Sequence, residues 1–210
     1  MNKVPDSIMR YLEHVEGDII HHNAGESDIT SPYGIYRKEH PEAAIFTEID
    51  AVALKLGIYQ KSSEWTQSDI DAINHYIHQG DIKDDLKELV AKFYYQMTKP
   101  AHINDFPQDA QVSMFSMYTN SPKRAKKACQ TAINTFVKNN LIENEMLKVD
   151  GVFGSKTISA LHKIHNGLLF ESYMLLHMSS LYARLAVKKP KKYLRYLNGW
   201  NNRLKELSRL

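Results

Sequence analysis

Glu16 stands where an apolar-periodic stretch runs out into Gly17, and a polar segment from Asp18 to Pro32 follows it, closed by Tyr33-Gly34-Ile35. That segment carries Glu26, Asp28 and Thr30. A carboxyl at the end of a helix, beside an apolar stripe and opposite further polar groups, is the setting in which a general acid operates. In such a site Glu16 donates the proton. Glu26 or Asp28 positions a water or stabilises developing positive charge, and the Thr30 hydroxyl, which both donates and accepts, orients that water. Asp18 is a further carboxyl, but it is too near Glu16 in sequence to face it without a sharp turn. The alternative is that Glu16 is simply a solvated residue at a helix end.

The elements that must hold these residues are helical. Ile8, Tyr11, Leu12 and Val15 fall at i, i+3, i+4 and i+7, which predicts a helix over 6–16 with Asp6 or Ser7 as N-cap and Gly17 as stop. A second helix is expected from Pro41 to Leu56, with proline in the first turn and Gly57 after the end. Thr66 with Asp69 three residues on reads as a capping box, and Gly80 ends that helix. Further helices are expected from about Asp81 or Asp84 to Met97, from Pro107 to Tyr118, from Pro122 to about Asn139, over Ser155 to Asn166, over Leu168 to Lys188, and from Pro190 onward. Strand signals are poor. The segment from Ile19 to Ile35 is where a small β-hairpin fits best.

With 210 residues the chain suits one large domain or two small ones. At 43% apolar and 24% charged it reads as an ordinary globular protein able to bury a core. Its lone cysteine, Cys129, excludes an intrachain disulfide and falls in an apolar-periodic stretch, so a buried thiol is expected. The N-terminus shows no apolar run of signal-peptide length, and no stretch approaches the roughly 20 apolar residues that span a bilayer. Synthesis in the cytoplasm without a signal peptide is the expectation. A net charge of +3 is too modest, without a recognition motif, to argue for nucleic acid.

Three stretches carry a family resemblance. Glu16-Gly17-Asp18, the loop with Asn23, Gly25, Glu26, Asp28 and Thr30, and Tyr33-Gly34-Ile35 resemble the N-terminal signature of glycoside hydrolase family 108, the N-acetylmuramidases. Ala128-Cys129-Gln130 followed by Asp150-Gly151-Val152-Phe153-Gly154-Ser155-Lys156-Thr157 is similar to that family's peptidoglycan-binding segment, and Gly199-Trp200-Asn201-Asn202-Arg203 to its closing motif. The order is the family's. The departures are Asp18 in place of a second glycine, a missing Gly-Gly before the threonine, and one extra residue between Thr30 and Tyr33.

The resemblance implies a mainly α, lysozyme-like fold, with residues 1–120 as the catalytic region and 121–210 as a peptidoglycan-binding-like helical region packed as one body with it. It implies a peptidoglycan hydrolase that cuts the β-1,4 bond between N-acetylmuramic acid and N-acetylglucosamine, with Glu16 as general acid. Tyr33 would then stack on a sugar ring. Asn120, whose amide suits N-acetyl groups, and Asp150, Phe153 and Thr157 become substrate-binding candidates. Bacterial peptidoglycan is the expected partner, with no cofactor and no metal. The protein would be a monomer, of phage-endolysin type, reaching the wall through a holin, a secretion system or lysis. The rivals are a lytic transglycosylase and a non-catalytic wall-binding or assembly protein.

Each motif also has a purely structural reading. Asp150-Gly151 is a turn pair, Ser155 a helix cap, and Thr157 a residue that hydrogen-bonds within that turn. Tyr118-Thr119-Asn120-Ser121-Pro122 is an ordinary inter-helix turn. His14, His21 and His22, and the pair His162 and His165, lack the convergent ligands of a zinc site. The eight lysines and arginines from Lys188 to Arg209 suit an anionic polymer or membrane surface, or a solvated helix face docked through Trp200, Leu204 and Leu207.

Overall fold

A computed structural model describes residues 3–22, 27–80 and 82–209. The fold is mainly α, with nine α-helices among the described residues: α1 (Asp6–Glu16), α2 (Ala44–Lys55), α3 (Gln67–Gln79), α4 (Ile82–Thr98), α5 (Gln108–Asn120), α6 (Pro122–Lys138), α7 (Ser155–Leu161), α8 (Gly167–Lys188) and α9 (Pro190–Leu207). None is long and apolar enough to cross a membrane. The contacts divide the chain into two compact units, Met1–Met97 and Thr98–Leu210. The division falls before α5 rather than near residue 120, because α5 packs against α6 and α8.

In the first unit α1 buries Ile8, Met9, Tyr11 and Leu12, whereas Val15, the last member of the apolar stripe, is exposed as the helix ends. Pro5 occupies the cap position, so neither Asp6 nor Ser7 caps the helix. The loop after α1 is pinned by Asn74 of α3. Its side chain accepts from the Ile20 N–H at 2.8 Å and donates to the Ile20 carbonyl at 2.9 Å. Ile20, Ile29, Ile35, Phe46, Ile49, Ile73 and Val90 complete the core. Each such side chain contributes about 1.5–3 kcal/mol on burial. The expected hairpin is reduced to two isolated antiparallel bridges, His21 with Thr30 and Thr30 with Tyr36. Helix α2 starts at Ala44, not Pro41, because the Ala43 N–H bonds back to the His40 carbonyl and closes a turn first. Thr66 and Asp69 form the capping box expected for α3.

In the second unit α6 packs on α8 and α8 on α9. Phe106, Phe136, Phe170 and Tyr173 form an aromatic core through tilted and edge-to-face contacts at 5.6–6.3 Å. Cys129 is fully buried there, and burial pushes its thiol well up, as suits a structural residue. Trp200 of α9 stacks on Tyr182 of α8 at 4.5 Å, and Leu204 and Leu207 are buried beside it. Helix α7 ends at Leu161, and Gly154 rather than Ser155 occupies its cap position.

Candidate functional site

Helix α1 ends on Glu16, and Gly17, at φ +78°, turns the chain away. The chain returns at Ser31 to Ile35. The Tyr33 N–H donates to the Gly17 carbonyl at 2.9 Å, and the Ser31 N–H donates to the Ile35 carbonyl at 2.9 Å. Tyr33 and Gly34 are both left-handed, at φ 65° and 85°. The Glu16 side chain lies across Gly34. A Cβ at residue 34 would come within 2.7 Å of Glu16 Cγ, 2.9 Å of Cδ and 3.0 Å of Oε2. A side chain at residue 34 would have to push the Glu16 carboxyl aside, and the left-handed backbone favours glycine there. Glu16 itself remains exposed to solvent. Beneath this turn the Tyr94 hydroxyl donates to the Tyr33 carbonyl at 3.0 Å. Burial, with a contribution from Glu16, pushes the Tyr94 phenol up, so it stays protonated as that donor.

Charged groups frame the turn. Lys83 of α4 donates to Asp18 at 2.6 Å, and this hydrogen bond is the main cause of Asp18 lying below the usual carboxylate range. Lys87 pairs with Glu13 at 3.2 Å and lies 6.0 Å from the centroid of the Tyr33 ring. Tyr33 is 1% exposed, and its phenol is pushed up to about 12, first by burial and then by Glu13, Asp18 and Asp84. Its ring therefore cannot stack on a sugar. Its backbone is left-handed, and the ring is turned into the core.

The other expected catalytic residues are placed less directly. Glu26 lies outside the described residues. Thr30 is 4% exposed, and its backbone pairs with His21 at 2.8 and 3.1 Å, so it holds the stem of the loop. Asp28 accepts from the Ser62 hydroxyl at 2.7 Å and lines a pocket of about 370 Å³ with Arg37, Asp50, Tyr59 and Trp65. Arg37 is paired to Asp50 in that pocket, and Glu16 is not among its lining residues.

The second unit builds the Asp150 loop on one buried amide. Gln130 of α6, 1% exposed, donates to Asp150 Oδ1 at 3.1 Å and to the Val152 carbonyl at 2.9 Å, and accepts from the Gly151 N–H at 2.8 Å. Asp150 also accepts from the Val152 N–H at 2.9 Å, the main cause of its position below the usual carboxylate range. Gly151 is left-handed at φ +81°, with the Lys123 carbonyl 3.0 Å from where a Cβ would sit. One turn further along α6, the buried Asn134 brackets Leu147, donating to its carbonyl at 2.8 Å and accepting from its N–H at 2.7 Å.

Residues 140–205 match the family model described as Predicted Peptidoglycan domain. The matched segment begins just after α6 and takes in the Asp150 loop, α7, α8 and most of α9. It marks the protein as peptidoglycan-associated. No curated protein matches the chain.

Within the peptidoglycan segment the candidates separate. Thr157 is 4% exposed and turned inward, so it does not contact a polymer. Asp150 is committed to its own turn. Phe153 is half-buried, tilted against Phe106 at 6.2 Å, with the Lys126 ammonium 5.6 Å from its ring centroid. Asn120, outside the segment, is exposed and donates to the Ser116 carbonyl one turn back at 2.8 Å. Gln130 stands in the motif that carried the resemblance, yet its clamping role shows only in three dimensions. Lys126, whose ammonium lies over the Tyr118 and Phe153 rings, carried no sequence signal, because it reads like its neighbours Lys123 and Lys127.

Proposed function

We propose that the protein is a peptidoglycan hydrolase of the N-acetylmuramidase type, with Glu16 as general acid. The observation that carries this reading is the fit of the Glu16 carboxyl over Gly34. An exposed carboxylate lies against a left-handed glycine, at the end of a helix, in a chain whose other unit matches a peptidoglycan family model. The resemblance of the Glu16 and Tyr33-Gly34-Ile35 motifs to family 108 muramidases supports the same assignment.

In this reading Glu16 protonates the glycosidic oxygen between N-acetylmuramic acid and N-acetylglucosamine. The bond from that oxygen to C1 breaks, and the sugar passes through an oxocarbenium-like transition state. Water adds at C1 and its proton is taken up by a carboxylate. Glu26 or Asp28 is the candidate for that second group. The protein would act on the wall after release from the cytoplasm, as an endolysin does, through a holin or a secretion system.

A non-catalytic wall-binding protein is the second reading, favoured by the engagement of Asp28 with Ser62 and the burial of Thr30. End-group analysis of digested sacculi separates the readings. Reducing N-acetylmuramic acid ends support the muramidase, 1,6-anhydro ends identify a lytic transglycosylase, and sedimentation with sacculi without cleavage identifies the binding protein.

A further inference from the structure

Lys126 stands apart from its neighbours Lys123 and Lys127 by the rings that surround it. Lys126, half-buried on α6, has no ion pair and no hydrogen bond among the described residues. Its ammonium instead lies between two rings, 5.7 Å from the centroid of Tyr118 and 5.6 Å from that of Phe153. Burial alone pulls it below the usual lysine range, and no acid opposes that shift. A partly desolvated cation is still left without a counterion, a costly arrangement for a residue that serves only the fold.

The surroundings are built to receive a ligand. Tyr118, in the last turn of α5, is 7% exposed, and its hydroxyl has no partner among the described residues. Phe153 is fixed by Phe106 on one side and carried by the loop that Gln130 clamps. A fixed aromatic wall, a phenol and an uncompensated ammonium therefore stand together at the edge of the matched peptidoglycan segment. We propose that Lys126, Tyr118 and Phe153 form a binding site for a carboxylate of the peptidoglycan stem peptide, with the Lys126 ammonium as counterion, the Tyr118 hydroxyl as a second donor, and the Phe153 ring against the adjoining aliphatic part of the ligand. The inference rests on peptidoglycan being the polymer bound, and it is independent of Glu16.

The test is calorimetric titration of the full chain carrying Glu16→Gln with the disaccharide tetrapeptide, and with the same compound after conversion of its carboxylates to amides. Binding of the free acid, at least tenfold weaker binding of the amide, and at least tenfold loss for Lys126→Met are expected, with Lys138→Met on the same helix unchanged. Lys126→Met should also keep or raise the melting temperature, since it removes an unpaired charge and keeps the apolar stem. Equal affinity for acid and amide, no binding of either, or unchanged affinity in Lys126→Met would overturn the site, as would a fall of many degrees in Tm. A wild-type protein that failed to cleave sacculi while this binding held would count against the hydrolase reading alone.

Discussion

Two turns in this molecule depend on a left-handed glycine with no room for a side chain, and they use it for different ends. At Gly34 the crowding atoms belong to the Glu16 side chain, an exposed carboxyl. At Gly151 they begin with the main-chain carbonyl of Lys123, and the polar groups around the turn are already joined to one another through Gln130. The first glycine makes room for an exposed carboxyl, the group proposed as general acid. The second makes room for the fold itself. A glycine motif on its own therefore says little about function, and the identity of the neighbour it admits decides the reading.

The comparison breaks first at Gly34. Gly34→Ala should displace the Glu16 carboxyl and lower the rate of sacculus cleavage by about a hundredfold, the order expected when a reacting group is misplaced by roughly 1 Å. Its cost in stability should shrink in a Glu16→Ala background, where the crowding side chain is gone and only the backbone strain remains. Equal costs in the two backgrounds, measured by urea denaturation, would show that Glu16 does not press on Gly34.

Gln130→Ala sharpens the other side. It removes the amide that holds the Gly151 N–H and the Val152 carbonyl, and about 2 kcal/mol of destabilisation is expected, at roughly 1 kcal/mol for each of these main-chain hydrogen bonds. Cleavage per folded molecule by the first unit should be unchanged. A loss of turnover with normal stability would move the Asp150 loop from support to function.

The smallest effect is expected at Asp18. Its folded value lies below that of an unfolded aspartate, so the stability it contributes is complete above about pH 4 and is lost as the pH falls through the folded value. Wild type should exceed Asp18→Asn by no more than about 1 kcal/mol near neutrality, because the pair is partly solvated. The gap should close in acid. A gap that persisted at pH 2 would mean that the Lys83 pair is not its source.

The helices were legible because apolar periodicity and caps such as Thr66 with Asp69 are local signals. The start of α2 was not, since a proline suits a turn as well as a first helical residue, and the His40 carbonyl chose the turn. Glu16 was legible as a candidate from its place at a helix end. That Gly34 carries it was not, because the two meet only after the whole loop has folded back. Tyr33 is a sugar platform only by family resemblance, and the burial of its ring, with its left-handed backbone, shows in the fold alone. Thr157 fell to the same difficulty, since a hydroxyl near a turn gives no sign of which way it faces. Lys126 differs from neighbouring lysines only in the rings that surround it, which belong to α5 and to the Asp150 loop.

The claim on which the account turns is that Glu16 is the proton donor. Purified sacculi should be digested with wild type and with Glu16→Gln, matched for folded protein by circular dichroism, and the soluble fragments identified by mass spectrometry. The account predicts fragments ending in reducing N-acetylmuramic acid from the wild type and a loss of at least a hundredfold in the variant. Equal release by the two proteins would contradict it.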